Sequence, residues 1–242
     1  MWARGWRRFA RSQLNRFIVA LALLVALPLV ALSERLRPGA GRRLAVGAVR
    51  TVARVCGVRI VVRQSPDIDP ASPYVFVANH SSPLDIAAVL VACPDVRFIA
   101  AAELFRIPLL AAAMRALDTV PLERRDPELA RRQLVELAQA DAGGNWRLVI
   151  FPEGGIAPSG ERLPFKSGAF SLAIQAGVQV LPVAISGTDV SLPPRSFLAV
   201  RPGQVSVRLL APISTQGLGP DDRGTLRDKT REIVVSSLQS DF

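Results

Sequence analysis

Histidine occurs once in these 242 residues, as His80, and cysteine only twice, as Cys56 and Cys93. Together these three fall short of the four ligands that a structural zinc site takes. Both cysteines sit in apolar stretches and offer no disulfide framework, which fits a reducing, cytoplasmic setting. Lysine is nearly as scarce, with Lys166 and Lys229 the only two among 30 basic residues. The Gly-x-Ser-x-Gly elbow of a serine hydrolase is missing, which counts against a lipase or esterase. Internal repeats and low-complexity tracts are missing too.

Acidic residues are scarce in one region only. Residues 1–63 hold thirteen arginines and a single acid, Glu34, a net +12; residues 64–242 carry a net −2. The whole +10 excess therefore belongs to the N-terminal segment. Its arginines flank the uncharged run Phe17–Leu32, and arginine beside hydrocarbon points to an anionic membrane surface rather than to nucleic acid. The 16 residues of that run would reach roughly 24 Å as a helix, short of a hydrocarbon core of about 30 Å. Pro28 lies inside it. A short span, a re-entrant or interfacial anchor and a signal peptide all fit, the last least well because no small-residue cleavage site follows. We expect a membrane-embedded anchor with both ends cytoplasmic. After Pro38-Gly39, residues 42–56 place Leu44, Ala48, Val52 and Val55 on one helical face and Arg43, Arg50 and Arg54 on the other. That is the pattern of an interfacial helix. Residues 1–56 thus read as a basic anchor and 57–242 as a separate domain.

From residue 57 short β-rich runs alternate with helical stretches. Strands are expected at Val58–Val62, Tyr74–Ala78, Arg97–Ala100, Thr119–Leu122, Arg147–Phe151, Val180–Ile185 and Val205–Leu210, and helices near 83–93, 103–116, 127–141, 168–177 and 222–238. The alternation predicts an α/β fold with a mostly parallel sheet covered by helices. In such sheets ligands bind beyond the carboxyl ends of the strands. Three chemically loaded segments are expected there: 79–85, 123–125 and 152–155.

The first reads Asn79-His80-Ser81-Ser82-Pro83-Leu84-Asp85. Ser82, Pro83 and Asp85 form a helix start with a capping-box acid, which would hold the carboxylate close to the imidazole. The third reads Phe151-Pro152-Glu153-Gly154-Gly155, with Lys166 following in Phe165-Lys166-Ser167-Gly168-Ala169. Adjacent glycines let a backbone approach an anion closely.

These blocks, with Glu103-Leu104 before Pro108, Leu122-Glu123-Arg124 and Leu181-Pro182-Val183-Ala184-Ile185, occur in an order that resembles the glycerolipid acyltransferase family, in particular the bacterial 1-acylglycerol-3-phosphate acyltransferases. The likeness covers roughly residues 57–215. It implies that His80 is the general base and Asp85 its orienting carboxylate. Arg124, Glu153, Gly154, Gly155 and Lys166 would form the acceptor site, and Leu181–Val183 would support the site or the donor. The implied reaction moves a fatty acyl group from acyl-CoA or acyl carrier protein to the free hydroxyl of a lysophospholipid, most simply 1-acylglycerol-3-phosphate, at the inner (cytoplasmic) membrane with the catalytic domain facing the cytoplasm. No metal and no cofactor is implied, and the partners would be the lysophospholipid, the acyl donor and membrane lipid, not nucleic acid. Two positions depart from the family pattern: Ala101 stands where members often carry lysine, and Gly155-Ile156 where they commonly read Thr-Arg. Both remove candidate phosphate contacts, for which Arg162 could compensate. Another lysolipid, such as a lyso-ornithine lipid, therefore stays open, as do a hydrolase and a non-catalytic lipid-binding module.

Overall fold

The computed structural model describes residues 2–123, 125–140, 147–157, 161–194, 196 and 198–239. Two helices come first, α1 (Trp2–Leu36) and α2 (Ala40–Val55). Next come β1 (Val58–Gln64), β2 (Tyr74–Ala78), α3 (Leu84–Ala92), β3 (Arg97–Ala101), α4 (Pro108–Ala116) and β4 (Val120–Leu122). The chain ends with α5 (Pro127–Ala140), β5 (Arg147–Ile150), α6 (Gly168–Ala176), β6 (Gln179–Ser186), α7 (Thr188–Ser191), β7 (Gly203–Leu209) and α8 (Arg223–Gln239). Each expected strand is present, its ends within two residues of those read from the sequence.

The strands form one sheet in the order β1-β7-β6-β2-β5-β3-β4. Neighbours run parallel except β6 and β7, which are antiparallel. The cause is the connection between them. A parallel return needs a crossover of a dozen or more residues, usually helical. Among the described residues of 187–202 the one helix is the four-residue α7, and Pro193-Pro194 follows it, so no crossover helix is built there. The expected helix over 103–116 is broken as well. Ala102–Arg106 form a 3-10 turn, and α4 starts afresh at Pro108. Ile107, at φ −90° and ψ 108°, takes the extended conformation that a following proline imposes.

β2 lies at the centre, buried along its whole length. Its alternate side chains serve two cores. Tyr74, Phe76 and Ala78 pack with Val46 of α2 and with Ala88 and Val89 of α3. Val75 and Val77 point the other way, to Phe170 and Leu172 of α6 and Val234 of α8. Fully burying one such large side chain contributes about 1.5–3 kcal/mol.

The N-terminal helices are fastened to this domain. Asn15 of α1, 1 % exposed, donates from Nδ2 to the carbonyls of Cys56 (3.1 Å) and Val200 (2.8 Å). Glu34, the lone acid of residues 1–63, accepts from Gly39 N–H (2.8 Å) and Gly41 N–H (3.0 Å), closing the start of α2. Arg42 donates to the carbonyls of Pro94 (3.0 Å) and Val96 (2.7 Å) and pairs with Asp118 at 3.0 Å. One side of α1 therefore faces protein, through Asn15, Ile18, Val19, Leu27 and Val30. Its other side leaves Leu14, Phe17, Leu21, Leu24 and Leu32 exposed. The stretch Arg11–Leu36 is long and apolar enough to cross a membrane.

Gly187 makes the turn out of β6 at φ +80°, and a Cβ there would collide with the carbonyl oxygen of Gln204 in β7. Gly187→Ala should therefore destabilise the protein by about 2–3 kcal/mol, read as a lowered midpoint in denaturant unfolding.

Candidate active site

β2, β5 and β6 are adjacent and parallel, so their carboxyl ends open on one edge of the sheet. The chain leaves β2 at Asn79, where the β2–β6 ladder has just ended with Ala78 opposite Val183. Asn79 is buried, and its side-chain amide continues the tie. Nδ2 donates to the Ile185 carbonyl (2.9 Å), and Oδ1 accepts the Ile185 N–H (2.8 Å). The residue before the histidine is thereby fixed to β6. Sequence reading quotes Asn79 as part of the block but gives it no role; the signal for one is an amide directly after a wholly apolar strand.

His80 follows, its side chain 13 % exposed. Nδ1 lies 2.9 Å from Oδ2 of Asp85, which is fully buried. The same oxygen accepts the main-chain N–H of Ser81 (2.7 Å) and of Ser82 (2.9 Å). Three donors converge on one atom, so the carboxylate has no freedom to turn. Oδ1 of Asp85 is buried and has no hydrogen-bond partner among the described residues. Facing a carboxylate, Nδ1 carries the ring proton and Nε2 is left with the lone pair. Phe151, just past β5, stacks on the imidazole with ring centroids 4.1 Å apart and planes 21° apart. The ring is thus held at its edge by Asp85 and at its face by Phe151.

The expected helix start is visible in these contacts. Ser82 Oγ accepts the Leu84 N–H (3.1 Å), while Asp85 reaches back to Ser82 N–H. Ser82 also donates to the Leu192 carbonyl at 2.7 Å, bringing the segment after α7 against the start of α3. Ser81 Oγ lies 3.3 Å from Oγ1 of the fully buried Thr188 in α7.

The turn after β5 supplies the second half of the site. Glu153, 4 % exposed, points inward: Oε1 accepts the main-chain N–H of His80 (2.9 Å), and Oε2 accepts that of Leu163 (3.1 Å). Burial pushes its carboxyl above the usual carboxylate range, opposed by those two hydrogen bonds. Gly154 takes φ +75°. A Cβ on it would lie 2.7 Å from Lys166 Nζ, so the exposed lysine folds its ammonium directly over the turn. Lys166 N–H also donates to the Pro152 carbonyl at 2.9 Å. A Cβ on Gly155 would meet nothing within 4 Å among the described residues.

His80, Asp85, Glu153, Gly154, Gly155 and Lys166 are thus brought to one end of the sheet. Arg124 lies outside the described residues. The strand before it, β4, is the edge strand three positions from β2, roughly 14 Å away at normal strand spacing. Leu181, Pro182 and Val183 are buried within β6, paired with β2, and so support the site from below. Both thiols are buried; that of Cys93 is pushed up by burial to about 11, which leaves no ready sulfur nucleophile there.

Comparison with known proteins shows the family. The Acyltransferase family profile matches residues 47–186. The chain is 34 % identical over 181 residues to mouse 1-acyl-sn-glycerol-3-phosphate acyltransferase alpha, covering 74 % of this chain and 64 % of the mouse protein. It thus spans rather less than two thirds of that relative's length. A 1-acyl-sn-glycerol-3-phosphate acyltransferase of Chlamydomonas reinhardtii is 31 % identical over 237 residues, or 95 % of this chain and 68 % of the algal protein. Among solved structures, the 1-acyl-sn-glycerophosphate acyltransferase PlsC of Thermotoga maritima superposes with a TM-score of 0.77 at 27 % identity, over 98 % of this chain and 97 % of that one. With a profile match that takes in β2, the His80–Asp85 pair and the Glu153 turn, the chain belongs to the Acyltransferase family.

Proposed function

We propose that the protein transfers a fatty acyl group from an acyl thioester, acyl-CoA or acyl carrier protein, to the free hydroxyl of 1-acylglycerol-3-phosphate, giving phosphatidate. The observation that carries this reading is the imidazole held by Asp85 at 2.9 Å beside a glycine turn overlaid by a lysine ammonium. A thioester is already activated, so the acceptor oxygen can attack its carbonyl once a base removes the hydroxyl proton. His80 Nε2 takes that proton as the new ester C–O bond forms. The C–S bond then breaks, and the imidazolium returns the proton to the leaving thiolate. Asp85 keeps the ring in the tautomer that can do this and faces the positive charge as it develops. No enzyme nucleophile is required.

Lys166 and Arg124 are assigned to the acceptor phosphate, Lys166 as a point charge over the Glu153–Gly155 turn and Arg124 as a planar fork. With alanine at 101 and Gly155-Ile156 after the turn, fewer cations are available for that phosphate, and those that remain carry more of it.

The membrane part of the proposal follows from α1. Asn15 and Val30 are both buried against the protein, about 22 Å apart along the helix axis. A helix gripped over that length would carry α2 and α4 with it into a bilayer. Of the three anchors open from the sequence, this supports the re-entrant or interfacial one, with the Phe17, Leu21 and Leu24 face in lipid and the domain on the cytoplasmic side of the inner membrane. Exposed Leu104, Ile107 and Leu109, beside and within α4, extend the apolar surface.

His80→Ala should lower acyl transfer by about 10²- to 10⁴-fold in a folded protein, measured with lysophosphatidate and acyl-CoA and the product identified by mass. Asp85→Asn should fall nearly as far, because a neutral amide cannot face the positive charge that develops on the imidazole and can turn its NH2 toward Nδ1, imposing the wrong tautomer. Wild-type turnover by folded His80→Ala would overturn the mechanism.

Arg124→Ala and Lys166→Ala should each raise the acceptor KM while leaving the donor KM nearly unchanged, and Arg124→Lys should restore only part of the loss. A changed donor KM with an unaltered acceptor KM would move these cations to the thioester side.

Replacing Phe17 and Leu24 together by glutamate should shift the protein from membranes to the soluble fraction by about a hundredfold or more, since each side chain withdraws about 1.5–3 kcal/mol of apolar contact. Flotation on anionic vesicles measures this. An unchanged distribution would remove α1 as the lipid contact.

A further inference from the structure

Glu153 is unsuited to the acceptor site in which its sequence context places it. The head group assigned there is anionic, and a carboxylate repels an anion. Its oxygens also face inward: Oε1 is 2.9 Å from His80 N and Oε2 is 3.1 Å from Leu163 N. An acid between the base and the Lys166 ammonium therefore needs another explanation.

We propose that Glu153 is a positioning residue, a buried strut that fixes the main chain of His80 relative to the loop bearing Arg162 and Lys166. The inference rests on His80 acting as the base. Its geometry is specific. Leu163, one of the two residues tied, immediately follows Arg162, and Lys166 is three residues further on. The loop is stitched a second time by Lys166 N–H on the Pro152 carbonyl, the residue before Glu153. The base and the loop that carries the Lys166 ammonium thus hang from the two oxygens of one side chain. Two N–H donors require two acceptors, and a carboxylate supplies two acceptor-only atoms where an amide supplies one. The two N–H donors favour the ionised form, against the burial that raises its proton affinity. Asp85 and His80 are the titratable neighbours it senses, and the Lys166 ammonium sits over the adjoining Gly154.

The single histidine makes this testable, because the imidazole carbon-bound protons of the full-length protein in detergent give NMR signals that need no assignment. In Glu153→Gln one acceptor becomes a donor facing a main-chain N–H. The His80 signal should move, kcat should fall by about 10- to 100-fold, and the acceptor KM should rise, since base and cation loop lose their common support. Glu153→Asp keeps two acceptors on a shorter reach and should lie between Gln and wild type in both signal and kcat. If Glu153→Gln does not fold, the aspartate variant carries the same readings. A raised acceptor KM with kcat and the His80 signal unchanged would make Glu153 an acceptor contact and overturn the strut. Absence of wild-type turnover with lysophosphatidate would instead remove the proposed reaction, while the His80 signal would still decide whether the strut exists.

Discussion

Three polar side chains, Asn79, Asp85 and Glu153, are buried around one imidazole, and apart from the Asp85–His80 contact the hydrogen bonds described for them go to main-chain groups. An unpartnered polar group in such a place costs about 1–3 kcal/mol, and more when charged. The loops at this end of the sheet are therefore bound to the paths that bring their N–H and C=O groups to those side chains. Asn79 fixes where the chain leaves β2, Asp85 fixes the turn into α3, and Glu153 fixes the turn after β5. The imidazole is the shared product of these ties. Its precision comes from buried accounting of donors and acceptors, not from loop stiffness.

Much of this was legible in the residues themselves. The Ser82-Pro83-Leu84-Asp85 start forecasts a carboxylate near His80, and the geometry realises it through the N–H of Ser82. Strand positions follow from apolar runs bounded by turns, because a strand buried on both faces, as β2 is, needs an unbroken apolar stretch. Long-range pairings were not legible. The Asn79 tie to Ile185 spans 106 residues, and no local pattern announces it. The direction of Glu153 was equally hidden, since an acid beside two glycines reads the same whether it faces solvent or a neighbouring main chain. The reversal at β7 depends on the prolines and the want of a long helical pattern in the segment before it, and the break at Ile107 on the proline that follows, both available in the sequence but outweighed by the alternating pattern.

The N-terminal helices join two requirements usually met by separate parts. α1 exposes leucines and Phe17 on one side while Asn15 reaches the carbonyls of Cys56 and Val200 on the other. α2 gives Val46 to the same core that holds Phe76 of the central strand. Removing residues 1–56 would strip apolar cover from that core as well as the outward-facing leucines. Substitutions on the outward face separate the two effects, which deletion cannot do.

The sheet order also governs how copies of this protein tolerate one another. Its two edges are β1 and β4, and an edge strand with free N–H and C=O groups invites pairing with a neighbour. β1 carries the exposed Arg59 and Arg63, whose like charges would meet their counterparts on an approaching copy. β4 has only three residues, the middle one an exposed proline with no N–H to give. Both open margins are thus closed to strand addition, one by charge and the other by brevity and proline. Crowded together, such molecules have no ready seam along which their sheets could fuse.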